Sequence, residues 1–166
     1  MWASAASAEL RLEVDLSERT LQAIVDGEVV ETFTVAVGTD QNPTPEGGFA
    51  IRKVIWNPSW TPPDEKWARG KTEKGPGDPD NPMKRVKMFF QEPDYYIHGT
   101  GDEDSLGKAE SHGCFRMHEE DVTRLAQLVM EQGGKPMPEP WYRRIFRRKT
   151  TKVVYLDTPV AVEIRG

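Results

Sequence analysis

The stretch from Leu10 to Val37 reads LRLEVDLSERTLQAIVDGEVVETFTVAV. Apolar and polar residues alternate over 10–16, which is typical of a strand with one buried face. Asp26-Gly27 is a two-residue hairpin signal, because both central positions of such a turn need a positive φ. These features predict a β-meander without helices, whose strands cover residues 10–16, 21–25 and 29–37.

Further strands are predicted over the later apolar runs, at residues 49–56, 86–90, 95–98, 153–156 and 160–164. One main helix is predicted over Glu119–Gln132, because its apolar residues recur at helical spacing and Gly133-Gly134 can end it. Residues 141–148 are expected to form a short second helix. The sequence therefore predicts a mainly β protein.

The composition limits the classes of function. The 166 residues suit a single domain, expected over 10–166 behind a flexible N-terminal stub, 1–9, that lacks the charged and apolar regions of a signal peptide. A net charge of −5 argues against generic nucleic-acid binding. No apolar run approaches the roughly 18–20 residues that a transmembrane helix needs.

A long irregular segment, residues 57–82, follows the fourth predicted strand. Eight of the 13 prolines fall between residues 43 and 82, and proline neither continues a helix nor donates in a sheet. Since loops of this length are usually functional or mobile, we expect a lid or wall of a binding groove, with Trp60 and Trp67 against the substrate. In the alternative, both indoles pin the loop to the core.

The chemistry concentrates around one thiol. Cys114 is the only cysteine, and the three histidines lie at 98, 112 and 118. A thiol needs a neighbouring base or cation to react at neutral pH, and histidine suits that role. His112 shares a face with Cys114 if the segment is extended, whereas His98 ends a strand 16 residues earlier. Spacing alone does not choose between them.

Three further readings of this region stay open at the level of spacing. The backbone N–H groups of Gly113 and Cys114 could form an oxyanion hole. Cys114 could instead be a small buried apolar residue, which is common for free cysteine. A Cys/His metal site is the next rival, but the tight helical histidine pair of catalytic zinc sites is absent from the sequence. No metal or cofactor is predicted.

The motif His98-Gly99-Thr100, followed after ten residues by Ser111-His112-Gly113-Cys114-Phe115-Arg116-Met117, resembles the signature of the L,D-transpeptidase catalytic domain (the YkuD-like family). Pro43-Thr44-Pro45-Glu46-Gly47 resembles a loop of the same family. The resemblance covers about residues 10–134. It implies a β-sandwich or barrel-like fold with one main helix beside the active site.

The resemblance also implies an activity. Such enzymes form a cysteine thioester on a peptidoglycan tetrapeptide stem, release D-alanine, and pass the acyl group to an amine of a second stem, which gives a 3→3 cross-link. The expected partners are peptidoglycan stem peptides, a wall-linked protein acceptor and carbapenem-type inhibitors that acylate Cys114. Export to the periplasm or cell wall follows from that substrate.

Roles carry over by matching positions. Cys114 is implied to be the nucleophile, His98 the base, and the carbonyl of Gly99 the group that orients the imidazole. Backbone amides of His112, Gly113 and Cys114 are implied to bind the oxyanion, and the His112 side chain to orient the site. The residues expected to position or bind the substrate are Ser111, Arg116, Tyr96, Trp60 and Trp67.

Two matters remain alternatives at this stage. The same Cys/His site would serve an L,D-carboxypeptidase or a wall amidase, if water resolves the thioester, and the fold could also persist in a non-catalytic wall-binding module. Residues 135–150 look like a basic insertion relative to the family. That segment is either a solvated amphipathic helix or a contact to anionic wall polymers or lipid headgroups.

Overall fold

The computed structural model describes residues 9–166. Of the expected stub at 1–9, residues 1–8 lie outside the described part, while the carbonyl of Glu9 accepts a hydrogen bond from the N–H of Asp26 (3.3 Å). The strands are β1 (Leu10–Asp15), β2 (Thr20–Val25), β3 (Glu28–Thr34), β4 (Val37–Gly38), β5 (Gly47–Trp56), β6 (Lys84–Gln91), β7 (Tyr95–Thr100), β8 (Ala109–Ser111), β9 (Phe115–His118) and β10 (Lys152–Arg165). The helices are α1 (Glu119–Gln132) and α2 (Glu139–Arg144).

Eight strands form one nearly closed sheet in the order β3-β2-β1-β10-β5-β6-β7-β9. The pairs β1/β10 and β7/β9 are parallel, and the other neighbours are antiparallel. Strands β4 and β8 make a separate two-stranded sheet. The predicted mainly β class with a barrel-like sheet is confirmed.

Two strand predictions need correction. The third strand ends at Thr34 rather than Val37, because the chain leaves the meander there: Ala36 pairs with Arg116, and Val37 pairs with β8. The two closing strands are a single strand, β10, whose pairing with β5 shifts register between Tyr155 and Val160.

Both predicted helices are present. Helix α1 packs its apolar face, which includes Val122, Leu125 and Val129, against β6 and β7, so that it lies behind the strand that carries His98. Helix α2 and the 3₁₀ turn after it cover Trp56, whose ring centroid lies 5.3 Å from that of Trp141. The segment 135–150 therefore contributes apolar cover to one end of the core. No helix among residues 9–166 is long and apolar enough to cross a membrane.

Candidate active site

The strand pairing brings the predicted site residues onto one face of the sheet. His98 on β7 is opposite Arg116 on β9, and Cys114 precedes β9 by one residue. Because alternate residues of a strand point the same way, Cys114 and Arg116 share a face with His98. On the other side of β7, His98 is opposite Lys87 of β6.

Hydrogen bonds to buried side chains hold the segment before Cys114. The hydroxyl of Ser111 donates to the carbonyl of Cys114 (2.5 Å) and accepts from the N–H of Gly113 (3.1 Å). Thr44, in the Pro-Thr-Pro loop, donates to the carbonyl of Gly113 (2.9 Å). Ser111 thus braces the turn that presents Cys114. The Gly113 amide, one of the expected oxyanion donors, is committed to Ser111.

Glycine is required at position 113. Its φ is +112°, and a Cβ there would lie 2.7 Å from Cε1 of Tyr95. Side chains rarely adopt that backbone conformation, so any substitution would strain the turn that presents Cys114.

The imidazole of His98 is buried and oriented by its neighbour. Its Nδ1 lies 2.6 Å from the carbonyl oxygen of Gly99. In the neutral ring this contact places the proton on Nδ1 and the lone pair on Nε2, which is the form a general base needs. That the Gly99 carbonyl orients a catalytic base stays a prediction.

The electrostatics of the face favour a neutral histidine. Burial, with smaller contributions from the positive charges of Arg116 and Lys87 on either side, lowers the pKa of His98 to about 4. The carbonyls of Gly99 and Pro82 act in the opposite direction but do not outweigh burial. His98 is therefore neutral at neutral pH.

The buried neutral ring predicts a specific dependence of stability on pH. An unfolded histidine titrates near 6.5 and the folded ring near 4, so between these values the unfolded state binds more protons. Stability from this source is complete above about pH 6.5 and is lost as the pH falls toward 4. Between about pH 7.5 and about pH 4.5 we expect the free energy of unfolding to fall by about 2–3 kcal/mol more in the wild type than in His98→Gln. Denaturant unfolding at both pH values measures the difference, and equal losses would contradict it.

The thiol is also neutral at rest. Burial raises the pKa of Cys114 to about 11, against the opposing effects of the Tyr96 backbone N–H, the Lys87 charge, the Tyr96 hydroxyl and Arg116. Its S–H donates to the carbonyl of Asp94 (3.4 Å) rather than to His98. The free site thus contains a thiol and an imidazole, and not a preformed thiolate–imidazolium pair.

A cavity of about 810 Å³ opens over this face, within the range of ordinary ligand pockets. Every side chain that the sequence nominated for the site lines it: Cys114, His98, His112, Ser111, Arg116, Tyr96, Trp60 and Trp67. One wall comes from the 57–82 segment, whose backbone is pinned by paired hydrogen bonds between Trp60 and Lys74 (2.8 and 2.9 Å). Residues of the 57–82 segment thus line the cavity, and their role as a wall of a substrate groove stays a prediction.

The two tryptophans of this wall differ. Trp60 is 6% exposed and belongs to the packed base of the segment. Trp67 stacks on the exposed ring of His112, with ring centroids 4.0 Å apart and planes 12° apart, and its indole N–H donates to Glu65 (2.5 Å). His112 therefore joins the 57–82 segment to the turn that presents Cys114. Partial desolvation of its ring, and then the charge of Arg116, lower its pKa.

Sequence reasoning missed two residues of this face. The carbonyl of Asp94 holds the thiol, and the ammonium of Lys87 lies beside His98 and Tyr96. Alternation along residues 86–90 would place Lys87 on the polar side of a strand, but only the pairing of β6 with β7 brings it to the site. Within residues 9–166, no group of three or more histidine, cysteine or acidic side chains is arranged to hold a metal ion.

Comparison with known proteins gives consistent results. A family model described as the L,D-transpeptidase catalytic domain matches residues 9–162. YqjB of Bacillus subtilis (strain 168), whose name places it among the L,D-transpeptidases, is 36% identical over 123 residues, or 70% of this chain and 65% of that protein. The chain spans about half to two thirds of the length of three such relatives, and about a quarter to a third of the length of others.

Solved structures share the fold at low identity. The catalytic domain of an L,D-transpeptidase from E. faecium is 18% identical, with a TM-score of 0.59 over 95% of this chain and 97% of that one. L,D-transpeptidase 3 from Mycobacterium tuberculosis, solved in complex with a faropenem-derived adduct, is 17% identical, with a TM-score of 0.59 over 96% and 61% of the two chains.

Proposed function

Because this chain belongs to the L,D-transpeptidase catalytic domain family, we propose that it is a cysteine-dependent acyltransferase that forms 3→3 cross-links between peptidoglycan stem peptides. The observation that carries the proposal is the cavity in which Cys114 and the oriented, neutral His98 share one face. A nucleophile, a base and a third group that holds the base are the parts that thiol acyl transfer needs.

The first half-reaction forms the thioester. The sulfur of Cys114 attacks the carbonyl carbon of the third stem residue, and Nε2 of His98 takes the thiol proton. The C–N bond to the terminal D-alanine breaks, and the proton on His98 passes to the departing amine. An amine of a second stem then attacks the thioester, gives up a proton through His98, and restores the thiol.

The neutral resting state implies that proton transfer accompanies attack. The pKa of Cys114 is raised and that of His98 is lowered by burial, so the free enzyme gains little by separating charge. For attack on the substrate carbonyl, the thiol must give up its hydrogen bond to Asp94 and donate its proton to His98.

The oxyanion of the tetrahedral intermediate requires amide donors. Since the Gly113 N–H already donates to Ser111, we assign the oxyanion to the backbone amides of His112 and Cys114. The Arg116 guanidinium, 3.7 Å from the carboxylate of Asp102, keeps a positive charge beside the site. Tyr96 and Trp67 supply apolar area for the aliphatic stem and sugar rings.

The acceptor distinguishes the remaining functions. An amine gives a cross-link, or an attached protein, whereas water gives an L,D-carboxypeptidase or wall amidase, and a wall-binding module gives no product. Mass spectrometry of the products from a purified tetrapeptide muropeptide separates them: we expect dimers with loss of D-alanine. Tripeptides alone would indicate a hydrolase instead of a transferase, and unchanged substrate would indicate a protein without catalytic activity. The substrate requires export to the periplasm or cell wall.

We expect Trp67→Ala to raise the apparent KM for muropeptide severalfold with little change in Tm, because this indole contacts the reactive turn through His112 and is not part of the core. Trp60→Ala is the matched control. Its buried ring should cost about 3–5 kcal/mol of stability. Steady-state kinetics and thermal unfolding measure both, and a stability loss in Trp67→Ala with unchanged KM would show that it only pins the segment.

A further inference from the structure

A lysine lies on the sheet face that carries His98, Cys114 and Arg116. Lys87 is directly opposite His98 in the β6–β7 ladder and lines the cavity. Its ammonium lies 4.2 Å from the ring centroid of Tyr96 and 4.6 Å from that of Phe89. Both distances are within the range of cation–π contacts, so the two aromatic faces hold the charge in place.

This ammonium has no acidic side chain as its partner. Among residues 9–166, Lys87 forms no ion pair, although the neighbouring Lys53, whose ammonium also lies over the Phe89 ring (5.4 Å), is bound to Glu92 at 2.8 Å. A half-buried charge without a counter-ion is costly. Burial lowers the pKa of Lys87, and the negative charge that Cys114 acquires is the influence that raises it.

The surrounding charges leave a defined place for an anion. The backbone carbonyl of Asp94, in the turn before β7, and Tyr96 on β7 contact the sulfur, and the neutral His98 lies on the same face of β7. From β9 comes Arg116, which already faces the carboxylate of Asp102. The other titratable neighbours are Lys53 on β5, and His112 with Glu65 and Lys71 at the cavity wall. Among residues 9–166, Lys87 and Lys71 both form no ion pair, but the Lys71 ammonium lies over the Trp67 ring at the cavity wall (5.2 Å). Lys87 is therefore the unpaired cation on the strand next to His98.

We propose that Lys87 is a positioning residue for the nucleophile, whose caged ammonium stabilises the Cys114 thiolate as it forms. The proposal rests on the proposed function and adds the charge that the Cys/His pair lacks. In the step concerned, the S–H bond breaks and the proton goes to Nε2 of His98. Lys87 keeps all three protons and forms no bond.

The test measures thiolate reactivity without a wall substrate. Cys114 is the only cysteine, so its alkylation by iodoacetamide, followed by intact mass across a pH series, reports directly on the site. Below the pKa values of both groups, where the ammonium is charged and the thiol is largely neutral, removing the charge in Lys87→Met should displace the rising limb of the alkylation rate about one pH unit upward. Because a more basic thiolate is also more nucleophilic, the rate at about pH 8 should fall about three- to tenfold.

Three variants make the result specific. Lys87→Arg keeps the charge and should recover most of the alkylation rate. Lys53→Met removes a nearby cation that is already paired with Glu92, and should leave the profile within about 0.2 units. Lys87→Gln repeats the test if the Met variant does not fold, as judged by circular dichroism.

An unchanged profile in Lys87→Met, or an equal shift in Lys53→Met, would overturn the proposal. Its failure is distinguishable from failure of the proposed function, because alkylation needs no peptidoglycan. Muropeptide dimers formed by the wild type with an unshifted Lys87→Met profile would sink this inference alone. A shifted profile without any muropeptide product would sink the proposed function alone.

Discussion

Cys114→Ala is expected to abolish product formation from muropeptides, a loss of about 10⁴-fold or more, because no other thiol exists in the chain to form the acyl-enzyme. The fold should be retained, since the side chain is small and the turn is held by Ser111 and Thr44 through backbone groups. Product analysis by mass spectrometry, with thermal unfolding as the control for folding, measures both effects.

The same variant also tests which group reacts with a carbapenem. Incubation of the wild type with a carbapenem should add the mass of the inhibitor to the intact protein, and Cys114→Ala should show no addition. Product above background in a well-folded Cys114→Ala protein would contradict the assignment of the nucleophile. A carbapenem adduct on Cys114→Ala would place the reactive group elsewhere.

His98→Ala is expected to lose activity as severely as Cys114→Ala, because members of a catalytic unit fail together. His112→Ala should lose about tenfold or less, since its ring stacks on Trp67 and is exposed, whereas His98 is buried and oriented by Gly99. Turnover at saturating substrate compares the two. The buried ring makes His98→Gln a useful companion variant, because it fills more of the space that Ala would leave empty.

The reverse order of effects would change the mechanism. If His112→Ala is inactive while a folded His98→Ala or His98→Gln protein turns over, the base has been assigned to the wrong histidine. The neutral His98 would then be a structural residue that carries the hydrogen bond to Gly99, and His112 would need to leave Trp67 to reach the sulfur.

Local pattern was sufficient for much of the fold. The alternation over 10–16 and the Asp26-Gly27 turn predicted a β-meander, and the helical spacing over 119–132 predicted α1. These signals succeed because burial of one face imposes a period of two or about 3.6 on the sequence itself. The end of β3 was misplaced because the apolar residues 35–37 would suit a longer β3 as well as the pairing that they adopt. Their actual partners, Arg116 and β8, are far away in the sequence.

The site divides in the same way. A contiguous motif, 111–117, with a histidine 16 residues before the cysteine, was enough to nominate Cys114 and His98 and to indicate the family. The irregular 57–82 segment has no period, so nothing in it could predict that Trp67 would stack on His112 while Trp60 is buried.

By itself, the sequence determined the mainly β class, the main helix and the candidate nucleophile with its histidines, because each depends on a pattern of residues that are close together in the sequence. Only the tertiary structure decided that the Gly113 amide is taken by Ser111, that the thiol rests on Asp94, and that Lys87 stands opposite His98. The physical reason is register. Which residues of two strands meet depends on the whole sheet, and a shift by one residue would turn Lys87 away from the site.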